Sequence, residues 1–141
     1  MNSQADWTEL FFSSSGRLAR TPFWIAAGVL LLAIFVYEQV VDGALRWITG
    51  WIVYPVLLFM AACVVSKRLH DRGKSGWWAA LVLFAFVVVW PEPDGFFDFL
   101  GVLALVWAAV ELAVLTGEEG ANRYGANPLK PAAAYETDAA A

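Results

Sequence analysis

The sequence predicts an all-α, polytopic integral membrane protein with four transmembrane helices preceded by an N-terminal interfacial amphipathic segment. Composition is the first reason: 60% of the 141 residues are hydrophobic, 16% are charged and the mean hydropathy is +0.61, against roughly 45–50% apolar and about 25% charged in ordinary soluble domains. The second is that the apolar residues gather into long blocks instead of recurring at amphipathic spacing. The third is that the lysines and arginines fall beside those blocks, on alternate connections. The formal net charge of −4 says little about partners, because Glu118, Glu119, Glu136 and Asp138 sit in the C-terminal tail, away from most of the basic residues.

Residues 1–22 read as a cytoplasmic segment lying on the membrane. Their charges follow a short hydrophobic patch and no small-residue cleavage site ends an apolar run, so they do not read as a secretory signal. Trp7, Leu10 and Phe11 share one helical face, with Phe12 alongside, and Arg17 and Arg20 precede the first block. A frayed end with a few sticky aromatics is the plainer alternative.

The bundle is expected over 23–116, with spans at about 23–41, 44–65, 77–90 and 96–115. The first, second and fourth reach the roughly 20 residues that cross about 30 Å of hydrocarbon. The third, "WWAALVLFAFVVVW", is short and leans on Trp77, Trp78 and Trp90 as interfacial rings and on Lys74 as a snorkelling cation. Pro55 lies midway along the second block and removes one backbone donor there. Two basic residues precede the first block, Arg46 opens the second, Lys67, Arg68, Arg72 and Lys74 occupy the next loop, none occupies "PEPDG", and Arg123 and Lys130 follow the fourth block. That bias puts both termini and the Lys67–Lys74 loop in the cytoplasm, with short exterior turns at Asp42-Gly43 and Pro91–Gly95. Residues 117–141 read as a cytoplasmic motif followed by a disordered, proline-punctuated tail.

The polar stretch "KRLHDRGKSGWW" at 67–78 is where chemistry would be sought. Its "GKS" is no phosphate loop, because the glycine required five positions before Gly73 is Arg68 and no strand precedes it. His70 is the single histidine and Cys63 the single thiol, a set too small to read as a metal site without carboxylates such as Asp71. His70 and Asp71 are neighbours that point about 100° apart on a helix, and no nucleophile shows an evident spacing to them. Cys63, inside an apolar run, reads as a small buried hydrophobe. No catalytic residue, metal or cofactor is assigned on these grounds. The basic residues alone account for topology and a turn, in which Gly73 and Gly76 permit the reversal before Trp77.

Three stretches, "GRLARTPFW" at 16–24, "KRLHDRGKSGWW" at 67–78 and "GEEGANRYGANP" at 117–128, in this order and separated by four apolar blocks, resemble the domain-of-unknown-function 805 family of small bacterial inner-membrane proteins over roughly residues 7–128. The family pattern commonly carries Arg-Arg-Leu-His-Asp, and Lys67 takes the first of those places here, which keeps charge and changes geometry. The resemblance implies a bacterial inner-membrane location and four helices, and no established reaction, substrate or cofactor.

Charge-derived topology puts all three motifs on one side, so they are expected to meet. Arg17, Arg20, Lys67, Arg68, His70, Asp71, Arg72, Lys74, Asn122, Arg123 and Tyr124 would form a polar cap, with Asp71 as counter-ion to an arginine and Asn122 shaping a turn with Gly120 and Gly125. Glu38 is placed to pair with Arg46 across the short turn, and Glu111 to act as a counter-ion to the cap or as a proton or cation ligand. Three function classes follow. The first is a non-catalytic accessory or interaction component of a membrane assembly, its cap contacting anionic lipid or a partner, which is another membrane protein or a second copy. The second is a lipid-headgroup or small-anion site, enzymatic or not, at the arginines, and the third an oligomeric channel or transporter using Glu111. Nucleic acid is not an expected partner, because the basic residues are few and lie against the bilayer.

Overall fold

A computed structural model describes residues 6–90 and 95–130. Within them the chain is helical apart from loops and one isolated bridge: α1 (Trp7–Phe12), α2 (Arg20–Val40), α3 (Gly43–Asp71), α4 (Trp78–Val89) and α5 (Phe96–Ala109), the last running on into a π-helical turn, Val110–Val114. Three of these segments, Arg20–Val40, Gly43–Asp71 and Phe96–Val114, are long and apolar enough to cross a membrane. α4 has 12 residues and is about 18 Å long at 1.5 Å per residue, so it falls short of the hydrocarbon thickness unaided. The expected turn at 91–95 and the tail from 131 onward lie almost wholly outside the described residues.

α1 forms because Asp6 accepts hydrogen bonds from the backbone N–H groups of Thr8 and Glu9, at 3.0 and 3.3 Å. Its other end is closed by Lys67 Nζ, which donates to the carbonyls of Glu9 and Leu10. The helix is thereby docked, with Leu10 buried and Trp7 and Phe12 exposed.

The sequence placed Lys67–Lys74 in a loop, but α3 stays helical through Asp71. Polarity alone misled there, since Lys, Arg and Leu are good helix formers and no breaker appears before Gly73. At that glycine, with φ +70°, Gly73 N–H donates to His70 O at 3.0 Å and Lys74 N–H to Leu69 O at 2.9 Å. This is the pair of bonds that ends a helix on a left-handed residue.

α4 and α5 pack closely through small residues. A Cβ on Gly101 would come within 2.7 Å of Val89 Cγ2 and 3.4 Å of the Ala85 carbonyl. From α2 to α5 the helices neighbour one another in chain order, α1 packs on α3, and α2's main partners are α3 and the π turn. The bundle therefore closes at the end that carries the three polar motifs and opens away from it, leaving an apolar cleft of about 510 Å³ walled by residues such as Leu30, Leu58 and Phe86. The buried core, Ala26, Val64, Leu69, Ala108 and Leu112 among it, gathers toward the closed end, while Trp47, Trp51 and Phe97 farther along the helices are largely exposed.

Candidate functional site: an arginine-carboxylate cap

Asp71 sits at the centre of the closed end. Arg17 places Nε and Nη2 each 3.0 Å from Oδ1, and Arg68 Nη1 bonds Oδ2. The guanidinium side chains are 1% and 0% exposed and the carboxylate 4%, so this is a buried triad of two cations on one anion. Such a group is tolerable in low dielectric only when the remaining donors are satisfied. Here they are. Arg17 donates onward to the carbonyls of Gly120 and Glu118, both at 2.6 Å. Arg68 donates to the carbonyls of Leu112 at 2.8 Å, Leu115 at 2.6 Å and Leu18 at 3.3 Å.

The carbonyls matter as much as the carboxylate. The last turn of a helix leaves its C=O groups without intrahelical partners and carries the negative end of the macrodipole. Five consecutive carbonyls at the end of the last helix each receive a side-chain donor: Leu112 from Arg68, Ala113 from Trp24 Nε1 at 3.2 Å, Val114 from Arg20 Nη1 at 3.0 Å, Leu115 from Arg68 again and Thr116 from Arg72. The π turn, closed by Leu115 N–H on Val110 O at 3.1 Å, overlaps the start of this run. The sequence reading brought the arginines together but missed Trp24 and the backbone they hold, since a backbone acceptor leaves no mark in a sequence.

The rest of the cap follows. Glu111 is buried and bonds Arg72 Nε at 3.1 Å and Lys74 Nζ at 3.3 Å; Lys74 also lies over the Trp107 ring, 5.3 Å from its centroid. Asn122 donates from Nδ2 to His70 O at 3.0 Å and to Glu118 Oε2 at 2.7 Å, and its own Oδ1 accepts from Tyr124 N–H at 2.9 Å, shaping the tight turn that pairs it with Gly125. Asn127, near the end of the 117–128 motif, is buried and donates to the carbonyls of Glu118 and Glu119. Tyr124 stacks on His70, ring centroids 3.8 Å apart, and Arg123 lies over the outer face of Tyr124. His70 is in the last turn of α3, past the 44–65 stretch expected to cross the membrane. Burial pushes its imidazole below the ordinary value, opposed by a hydrogen bond with the Gly16 carbonyl.

Eleven of the thirteen singled-out positions thus converge with Glu111 at one end of the bundle, Lys67 serving α1 in place of the triad, while Glu38 stands at the far end. Glu38 pairs with Arg46 at 2.9 Å and accepts from the Tyr54 hydroxyl, the partner expected from the sequence. Among the described residues no group of three His, Cys, Asp or Glu side chains stands together to hold a metal ion.

Gly117 is a further cap residue that the sequence did not single out. A Cβ there would meet Asp71 Oδ2 at 2.0 Å and Cγ at 2.5 Å. Gly117→Ala must push the 117–120 strand of carbonyls away from Arg17, and is expected to cost about 1–3 kcal/mol as overpacking, read as a lowered unfolding midpoint in detergent. A midpoint equal to wild type would show that the loop has slack and is not held against Asp71.

Apolar helices of spanning length and a buried charge cluster confined to one end define a small helical membrane protein. The chain belongs to the family described as "Protein of unknown function (DUF805)", whose model matches residues 11–126. It is 34% identical over 123 residues to the uncharacterized protein YiiR of Escherichia coli K12, covering 81% of this chain and 84% of that one. It is 28% identical over 128 residues to the inner membrane protein YhaH of the same organism, covering 82% and 88%. No solved structure matches the chain.

Proposed function

We propose that this protein is a non-catalytic accessory or interaction component of an inner-membrane assembly, crossing the membrane four times with both termini and the cap in the cytoplasm. The observation that carries the reading is the saturation of the cap. Arg17 and Arg68 spend their donors on Asp71 and on backbone carbonyls, which suits a device that fixes helix ends and leaves little to bind a phosphate. Glu111, held by Arg72 and Lys74, fits a counter-ion better than a conducting site.

Orientation and location rest on separate supports. Of the nine lysines and arginines, all but Arg46 belong to the capped end or its flanks, as the positive-inside bias requires of a cytoplasmic face. A relative carries the name inner membrane protein. α4 completes the fourth crossing with Trp77 and Trp90 at its ends and a locally thinned bilayer, and α1 lies at the interface with Trp7 and Phe12 outward. The surface left for a partner is apolar: the open cleft between α2 and α4, and exposed aromatics such as Trp47, Trp51 and Phe97.

Native mass spectrometry of the protein taken from its own membrane in mild detergent, after crosslinking in place, tests the reading. A stoichiometric second chain, foreign or identical, supports it. A monomer in the crosslinked membrane as well as in detergent overturns it.

A further inference from the structure

A second cavity, about 680 Å³ in volume, lies beside the cap between α1, α3 and the start of α4, within the range of pockets that take small ligands. Away from the cap its wall is apolar: Phe59, Ala62, Ala80 and Leu83. At its polar end one face of α3 presents Ser66 and, one turn later, His70.

The His70 ring is fixed on two sides. Tyr124 stacks on it at 3.8 Å with the planes 7° apart, and Nδ1 lies 3.2 Å from the Gly16 carbonyl. A carbonyl only accepts, so Nδ1 carries the proton and the neutral ring presents the Nε2 lone pair. That lone pair faces Gly76. A Cβ on Gly76 would lie 3.0 Å from Nε2 and 2.1 Å from Ser66 Oγ, so the absence of a side chain at 76 is what lets the α4 connection approach both atoms. Ser66 is only 8% exposed, and among the described residues no hydrogen bond reaches its hydroxyl or Nε2. A fixed acceptor and an unpartnered hydroxyl, both opening into the cavity over an apolar slot, offer a hydrogen-bonding pair to whatever enters it. No acidic residue lines the cavity, and Arg123 backs the Tyr124 ring at its rim, so a cationic head is disfavoured.

We propose that this pocket, and not the arginine cap, binds one membrane amphiphile through a hydroxyl-bearing, uncharged or anionic head. The hydroxyl donates to His70 Nε2 and meets Ser66 Oγ, and the chain lies against Phe59, Ala62 and Leu83. The inference rests on the part of the proposed function that puts the capped end at a membrane surface, and is independent of any partner chain.

The test is a lipid titration of the purified chain read by native mass spectrometry. It compares phosphatidylglycerol with phosphatidylmethanol of the same acyl chains, which has the same charge and no hydroxyl. One phosphatidylglycerol should be retained on the order of tenfold more tightly, the scale of one good hydrogen bond. His70→Phe keeps a ring to stack on Tyr124 and should erase that preference. Ala80→Trp, on an exposed wall position, should displace the lipid whatever His70→Phe does to folding. Equal retention of the two lipids, or a preference that survives both substitutions, would overturn the proposal. Equally tight binding of glycerol 3-phosphate would overturn the amphiphile and assign the pocket to a soluble head alone. Because retention is read on the single chain, a monomeric protein that passes this test leaves the pocket standing while the assembly reading fails.

Discussion

Asp71→Asn is expected to destabilise the protein by about 3–5 kcal/mol, the scale for removing one partner of a buried ion pair. The substitution keeps the size and planarity of the side chain and removes the charge. What it leaves is two guanidinium groups, 1% and 0% exposed in the native protein, facing each other across a neutral amide. An amide also offers one oxygen where the carboxylate offered two, so Arg17 and Arg68 compete for it and the amide nitrogen points a donor at a donor. Unfolding in mixed micelles, followed by tryptophan fluorescence, measures the loss. A cycle with Arg17→Met separates the pair: if Asp71 and Arg17 interact as the geometry states, the double substitution costs clearly less than the two single losses added. A cost under about 1 kcal/mol for Asp71→Asn, the range of solvent-exposed pairs, would mean water reaches the triad and the cap is not the closed end of the bundle.

How far such a cap could be foreseen depends on which partner one asks about. Side chains that carry charge announce themselves, and their placement beside alternate apolar blocks was enough to bring Arg17, Arg68, Asp71, Arg72 and Glu111 to one end. The acceptors opposite them do not: the carbonyls of Leu112 to Thr116 belong to apolar or small residues whose sequence suggests only the last turns of a membrane helix. The reach of α3 was hidden for a related reason, since Lys67 to Asp71 look like a loop by polarity and are helical by propensity and by the glycine that ends them. α4 is apolar on every side, so no stripe tells which face it turns to α5 and which to the cleft, and the open side of the bundle had no sequence signal. Ser66 and His70 stand one turn apart in plain view, but their meaning depends on Gly76 folding back over them, a contact between segments that sequence spacing does not give.

Arg68→Lys asks whether the cap needs charge or shape. The substitution preserves the cation opposite Asp71, so Coulombic pairing survives. The fork is lost. In the native protein one planar group reaches the carboxylate, the Leu18 carbonyl at the entry to α2, the Leu112 carbonyl in the π turn and the Leu115 carbonyl just after it. An ammonium carries its three donors on one atom and cannot span acceptors arrayed along a guanidinium edge. At a position 0% exposed water does not replace the missing bonds, and each buried carbonyl left unpaired costs on the order of 1–3 kcal/mol. A loss of about 3 kcal/mol is therefore expected, with the π turn the first segment to lose amide protection in hydrogen exchange. Arg20→Lys is the matched control, since exposed Arg20 makes one bond, to the Val114 carbonyl at 3.0 Å, which an ammonium can also make. It should stay within about 0.5 kcal/mol of wild type. Equal effects at the two positions would show that positive charge at the helix end is sufficient; a large effect at Arg68 alone makes the forked geometry the part of the motif that holds the last helix against the start of α2.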